Sequence, residues 1–284
     1  MTIFEAYNST KKKLEKAGIE DFVFEAKQII KHITGLDAAR ILTNYNKSLT
    51  MFQENNLTAI LRQREIRYPL QYIFGEWDFY GRSFKVGPGV LVPRADTETL
   101  VEHSLKFLKD KESPSVLDLC AGSGCIGITI GKESESATVL MIEKYKEAFT
   151  YAEKNIEKNS AQNVFVELGD IFEKSGADKK YDLIVSNPPY IPIDEMNIVS
   201  PETKFEPETA LIAENNGLQF YEAITENYKN SLKKGGMLCF EVGINESVKV
   251  AEILKNQGFT NIKTIKDLNG IDRVVSGIYE TEEI

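Results

Sequence analysis

The stretch Val116-Leu117-Asp118-Leu119-Cys120-Ala121-Gly122-Ser123-Gly124-Cys125-Ile126-Gly127 decides the fold. A short apolar run that reads as a buried strand enters a turn in which Gly122, Gly124 and Gly127 satisfy G-x-G-x-x-G ahead of a helix. Glycines let such a loop turn sharply and bring bare backbone against a ligand. The N–H groups that open the following helix favour an anionic group, a carboxylate as well as a phosphate. The next strand-like run, Ala137 to Glu143, ends in an acid nineteen residues after Gly124. An acid at that place accepts hydrogen bonds from ribose hydroxyls. Taken alone, the loop suits NAD or S-adenosyl-L-methionine equally. Asp118, at the carboxyl end of the first strand, is expected to point into the crevice where such sheets bind ligands.

Downstream the same alternation continues. Strands are expected over 115–120, 137–143, 163–170, 181–187 and 235–243, with helices over 124–132, 146–159, 217–232 and 246–257. A further helix over 96–108 precedes them, with Asp96 as its cap. Two last strand-like pieces, 261–267 and 272–279, are joined through Leu268-Asn269-Gly270 as a hairpin. Buried strands alternating with amphipathic helices predict an α/β fold. Its sheet is doubly wound and mostly parallel, with one antiparallel strand added at the C-terminus.

Upstream the pattern changes. Residues 1–67 carry apolar positions at helical spacing, Phe22, Phe24, Ile29, Ile30 and Ile33, then Leu57, Ile60, Leu61 and Ile66. Gly18 and Gly35 mark stops, and Asp37 is placed to cap a short helix over 38–42. From Tyr68 to Pro93 the chain is rich in aromatics, Gly and Pro, and the alternation in WDFYGRSFKV predicts a hairpin, with Trp77 packing the joint between the two parts. The expected division is a small all-helical N-terminal domain over 1–75, a hairpin linker over 76–95 and the α/β domain over 96–284.

Composition excludes several classes. Of 284 residues, 42% are hydrophobic and 27% charged, enough for a sizeable core. Apolar runs fall short of the ~18 residues that span a membrane, and the first residues lack the basic-then-apolar order of a signal peptide. Neither membrane insertion nor secretion is expected. The net charge of −9 is uneven: residues 1–75 carry 11 Lys and Arg against 8 Asp and Glu, which leaves −12 on the rest. A basic groove for nucleic acid is therefore not expected, nor direct nucleic-acid binding. Three cysteines, Cys120, Cys125 and Cys239, fit a reduced cytoplasmic setting. No histidine stands near them, so no metal site is expected. His32 and His103 sit in helical stretches, where packing or solvent contact is expected.

A second motif carries the chemistry. The strand 181–186 runs into Asn187-Pro188-Pro189-Tyr190. Two prolines end ladder bonding and stiffen the turn. A stiff turn holds Asn187 in one pose, with its side-chain oxygen and the carbonyl of Pro188 as acceptors for a planar –NH2 group and Tyr190 as a flat face beside it. The nitrogen of an amide or aromatic amine is a poor nucleophile because its lone pair is delocalised. Gripping both hydrogens favours pyramidalisation and aims the lone pair at a methyl sulfonium. Positioning of that kind supplies roughly 7–11 kcal/mol. The turn and the glycine loop together favour methyl transfer to an amine over hydride transfer.

The stretches YPLQYIFGEWDFYG, VLVPRADTETLVE, VLDLCAGSGCIGI, IVSNPPYI and FEPETAL, in that order, resemble the HemK/PrmC family of protein-(glutamine-N5) methyltransferases from about Tyr68 onward. The resemblance implies a class I methyltransferase-type fold. It implies a cytoplasmic enzyme that methylates the glutamine side chain in the Gly-Gly-Gln tripeptide of class I peptide chain release factors. S-adenosyl-L-methionine is then the donor and S-adenosyl-L-homocysteine the product. It places the cofactor loop on Cys120, Ala121, Gly122, Ser123 and Gly124, the ribose acid on Glu143 and the adenine pocket on Asp170 and Ile171. The substrate amide falls to Asn187, Pro188, Pro189 and Tyr190. Adenine-N6 methylation of DNA or RNA is the alternative, since that amine is also planar with two donors. Departures from the family pattern are Cys120, where Gly is frequent, Ala121, where Thr is frequent, and Glu143, where Asp is common. Arg94, Asp96 and Glu98 either shape the pocket or form a helix cap with a surface ion pair. Phe205 and Pro207 are expected on a loop that covers the site.

Overall fold

Apolar residues at period two in the strands and at helical spacing in the helices settle where each element buries its face. The computed structural model describes residues 1–280. It falls into two units, one of residues 1–75 with 200–205, the other of residues 76–199 with 206–284 as far as described.

The smaller unit is helical: α1 (Ile3–Lys16), α2 (Phe22–Thr34), α3 (Ala38–Thr43), α4 (Met51–Glu65) and α5 (Leu70–Phe74). Reciprocal hydrogen bonds between Thr2 and Glu5, and between Thr50 and Gln53, cap α1 and α4. The Asp37 carboxylate accepts from the Arg40 amide at 2.8 Å, the cap read from the sequence. Ala6, Ala26, Ile29 and Ile30 are fully buried in the core of this unit, each isoleucine worth roughly 1.5–3 kcal/mol. Arg64 is also fully buried. It donates to both oxygens of Glu25 at 2.8 Å, to the Tyr68 carbonyl at 2.6 Å and to Glu202 at 2.9 Å. Arg67 grips the same Glu202 through two nitrogens at 2.6 and 2.8 Å. The two guanidinium groups hold the Glu202 carboxyl below its usual range against the upward push of burial. Phe205 meets Tyr68 edge to face.

In the larger unit, β1 (Glu76–Phe79) and β2 (Arg82–Lys85) form the expected hairpin, turning on Tyr80 and Gly81 at positive φ. Residues 76–95, read from the sequence as a linker, lie in this unit, where Phe79 and Phe84 enter the core. Then follow α6 (Glu98–Leu108), β3 (Ser115–Leu119), α7 (Cys125–Glu133), β4 (Thr138–Glu143), α8 (Lys146–Lys158), β5 (Val164–Leu168) and β6 (Tyr181–Ser186). The chain ends in α9 (Gln219–Tyr228), β7 (Leu232–Glu241), α10 (Ser247–Asn256), β8 (Phe259–Lys266) and β9 (Asp272–Tyr279). The sheet order is β5-β4-β3-β6-β7-β9-β8. β9 is antiparallel to both its neighbours, and the first five strands are parallel. Val116, Val139, Leu183 and Val185 share one core with α6, α7 and α8. Their sequence neighbours Leu117, Leu140 and Ile184 share the other with α9 and α10. Asp96 is not the cap of α6: it lies in a short 3-10 turn, and its carboxylate is 3.3 Å from Arg273. Among the described residues no helix is long and apolar enough to cross a membrane.

Candidate active site

The chain winds outward from β3 through β4 to β5, then returns to start the other half at β6 beside β3. Ligands bind at the carboxyl ends of strands where the order reverses in this way. Both sequence motifs leave the sheet there, since Leu119 and Ser186 are register partners and the next residues are Cys120 and Asn187.

The first loop turns through three left-handed positions, Cys120 at φ 60°, Gly122 at 56° and Gly124 at 77°. Cys120 carries the steric cost that a glycine there avoids, about 1–2 kcal/mol. The Gly122 amide donates to Oε2 of Glu143 at 2.8 Å, and the Tyr145 amide donates to Oε1 at 2.8 Å. Glu143 is 6% exposed. Burial pushes its carboxyl up, and the backbone N–H groups act in the opposite sense. Asp170 accepts from the Phe172 amide at 3.0 Å and pairs with Lys144 at 2.8 Å. Burial works to raise its carboxyl, but these partners outweigh it and the net shift is downward.

A cleft of about 950 Å³, counted to its open mouth, joins these parts. Cys120 to Ser123, Glu143, Asp170, Ile171, Asn187 and Pro189 line it. Gly124, Pro188 and Tyr190 are not part of that lining. Tyr190 packs against the core of the α9 face, and burial pushes its phenol up. Two glycines make room for it: a Cβ on Gly243 would meet the Tyr190 ring at 2.9 Å, and one on Gly217 its carbonyl oxygen at 2.4 Å.

Asp118 does not face the crevice. It is fully buried beneath the loop, where Oδ2 accepts from the Gly127 amide at 2.9 Å. Burial pushes its carboxyl up to about 8, with the Gly127 amide opposing and the charge of Glu143 adding. Its Oδ1 has no partner among the described residues. It shares a sheet face with Val116, so period two already directs it under α7.

Several wall residues come from outside the glycine loop and the Asn187 turn. The segment 89–94 forms one side of the cleft, and Pro207, Thr209 and Ala210 come up beside it. Glu206, 4% exposed, binds these two stretches by accepting from the Val92 amide at 2.8 Å and pairing with Arg94. Of the polar trio, only Arg94 lines the cleft; the Glu98 carboxylate accepts from the Tyr80 amide at 2.8 Å. Asn155, fully buried on α8, exchanges hydrogen bonds with both backbone groups of Lys85 and donates to the Ser123 carbonyl at 2.9 Å. His32 stacks on Phe74, and His103 shares a hydrogen bond with Ser276.

The Methyltransferase small domain model matches residues 95–199, and the PrmC N-terminal domain model matches residues 5–75. The release factor glutamine methyltransferase of Geobacter sulfurreducens is 36% identical over 277 residues, covering 97% of this chain and 96% of that protein. The chain belongs to the release factor glutamine methyltransferase family. The family member of Fusobacterium nucleatum is 37% identical over 273 residues, covering 95% of this chain and 77% of that protein. The hMettl16 catalytic domain, solved in complex with MAT2A 3′UTR hairpin 6, shares the fold at a TM-score of 0.59 and 15% identity, over 88% of this chain and 95% of that one. The protein is thus a methyltransferase with S-adenosyl-L-methionine as donor. The site fits that donor: the buried carboxylate of Glu143, on the cleft wall, can accept from two hydroxyls.

Proposed function

We propose that the protein methylates the side-chain amide nitrogen of the glutamine in the Gly-Gly-Gln tripeptide of class I peptide chain release factors, in the cytoplasm. The observation that carries this reading is the register match of Leu119 with Ser186, which sets the glycine loop and the Asn187 turn side by side on one cleft.

Cys120 to Gly124, Glu143, Asp170 and Ile171 would hold the donor, which supplies an electrophilic methyl group on a sulfonium. Asn187 and the Pro188 carbonyl take the two hydrogens of the substrate amide. That grip turns the nitrogen lone pair out of conjugation and opposes the charge that develops on nitrogen. No strong general base is needed, because the methylated amide loses its proton to solvent. Pro188 and Pro189, both buried, keep the turn stiff. The wall made by 89–94 and 207–210 limits water in the cleft.

The helical unit is the docking surface for the protein substrate in this reading. It exposes large apolar side chains, Leu42, Met51 and Phe52 at 63%, 80% and 73%. The −12 balance over residues 76–284 supports a protein rather than a nucleic acid as substrate.

The test is mass spectrometry of a release factor after incubation with the protein and donor, with RNA and duplex DNA in parallel. One methyl on the Gly-Gly-Gln glutamine is expected. Methyl incorporation into nucleic acid alone overturns the reading. Asn187→Ala should lower single-turnover transfer by ~10²–10³ while donor affinity stays within about two-fold of the wild type. Phe52→Asp should slow transfer to whole release factor and leave donor binding intact.

A further inference from the structure

Pro188 and Pro189 fix their own φ, so the turn from Asn187 to Tyr190 moves as one piece. Such a piece holds a substrate amide in place only if it is anchored at both ends. Its first end continues β6, which lies between β3 and β7 in the middle of the sheet. Beyond its other end, the Ile191 amide donates to the Leu211 carbonyl at 2.8 Å, and the Ile191 carbonyl accepts from the Ala213 amide at 3.0 Å. Those bonds fix the main chain after Tyr190 and leave the Tyr190 ring to its packing.

That packing has one residue behind it. The ring meets Gly243, in the loop after β7, and the Tyr190 carbonyl meets Gly217, in the loop before α9. Both glycines also meet the carboxyl group of Glu246, the buried residue just before α10. A Cβ on Gly217 would stand 2.4 Å from Oε1 of Glu246, and one on Gly243 2.7 Å from Oε2. Oε2 accepts from the Gly243 amide at 2.9 Å. Tyr221 of α9, fully buried, points its hydroxyl at the same oxygen, 3.3 Å away, and at the Glu241 carbonyl, 3.1 Å away. One carboxyl group thus joins the loop after β7, the loop before α9 and α9 itself. Through the two glycines it backs onto both the ring and the main chain of Tyr190.

We propose that Glu246 is a positioning residue: it locks Gly243 and Gly217 against Tyr190 and so holds the Asn187 turn in the pose that transfer needs. The inference rests on the amide-methylation reading, which assigns that turn to the substrate. Glu246 does not touch the reacting atoms; it acts through Tyr190 and the stiff pair of prolines. The arrangement also accounts for a carboxyl group kept in the interior, where it needs partners to offset its desolvation. It gives the loops that flank β7 and α9 a part in a site otherwise built from β3, β4 and β6.

Three variants and two readouts test it. Glu246→Ala removes the carboxyl group; kcat for transfer to release factor should fall roughly ten- to a hundred-fold, the scale of a misplacement of about 1 Å. KM and donor affinity should hold, because Glu246 is not part of the cleft wall. Glu246→Asp keeps the charge but draws both oxygens back by one methylene, and should lower kcat in the same sense. Glu246→Gln keeps the length and an acceptor for the Gly243 amide, and should retain most of the rate. A role resting on charge alone would reverse the order of these two variants. The second readout needs no substrate: the flipping rate of the Tyr190 ring, followed by NMR on protein with labelled tyrosine. It should rise in Glu246→Ala and Glu246→Asp and hold in Glu246→Gln. Unchanged kcat or unchanged ring flipping in Glu246→Ala overturns the proposal. So does a loss of donor affinity as large as the loss of kcat, or a loss of kcat in Glu246→Gln as large as in Glu246→Asp. If Glu246→Ala does not fold, Glu246→Asp decides by the same two measurements. Absence of transfer by the wild type counts against the substrate assignment, while ring flipping still decides the brace.

Discussion

The hydroxyl of Ser186, the last residue of β6, donates to the carbonyl of Leu119, the last residue of β3, at 2.7 Å. Both residues are fully buried. This bond closes the sheet at the point where the two functional turns leave it. Ser186→Ala leaves that carbonyl without the hydroxyl and should cost about 1–3 kcal/mol. Urea unfolding should show a lower midpoint at unchanged m. Donor affinity and transfer should weaken together, since both turns start there.

Glu143 braces the glycine loop through Gly122 and the start of α8 through Tyr145. Glu143→Ala should weaken donor binding by ~1–3 kcal/mol, as buried N–H groups and ligand hydroxyls lose one acceptor. Titration calorimetry measures it. Unchanged affinity would leave Glu143 a purely structural brace.

Asn155→Ala should lower stability by ~1–3 kcal/mol or more. It orphans the Lys85 amide, the Lys85 carbonyl and the Ser123 carbonyl at once. Because Ser123 lies in the donor loop, calorimetric titration should also show weaker donor binding, although Asn155 itself is not part of the cleft wall.

Asp118 makes stability depend on pH. Its carboxyl is pushed from an ordinary 3.8 up to about 8, mainly by burial. Between those values the folded protein holds a proton that the unfolded chain has released. Stability from this group therefore falls as pH rises from about 4 to about 8. Asp118→Asn keeps an acceptor for Gly127 and removes the titration. Its Tm should gain on the wild type from pH 5 to pH 8, by roughly 2–4 °C for each kcal/mol relieved. A Tm difference that stays constant with pH would refute this.

Local motifs were legible because their physics is local. A strand, three glycines and a helix start fall within twelve residues, and the stiff Asn187 turn within four. The topology then places both at one switch point, which the alternation of elements already implied. Residues that work over long separations left no such trace. Asn155 reaches Lys85 across 70 positions, and Glu206 reaches Val92 across 114. Nothing in its own neighbourhood distinguishes Asn155 from a helical surface Asn, and within FEPETAL no local pattern singles out Glu206 as the residue that reaches Val92. Asp96 misled for the same reason: beside Thr97 it reads as a cap, but Arg273, far along the chain, takes its carboxylate.

The smaller unit has an unusual timetable during synthesis. Its Arg64 is fully buried, and one of the carboxylates that neutralise it, Glu202, lies 138 residues further on. At ordinary translation speeds of about 5–20 residues per second, that partner emerges roughly 7–28 s later. Until then Arg64 has Glu25 but not Glu202, Arg67 lacks its Glu202 partner, and the place of Phe205 against Tyr68 stands open. The N-terminal helices thus wait, incomplete, for a hexapeptide made after most of the parallel sheet. Ribosome-stalled chains ending before Ser200 should be cut by protease within the first 75 residues, and the released full chain should resist.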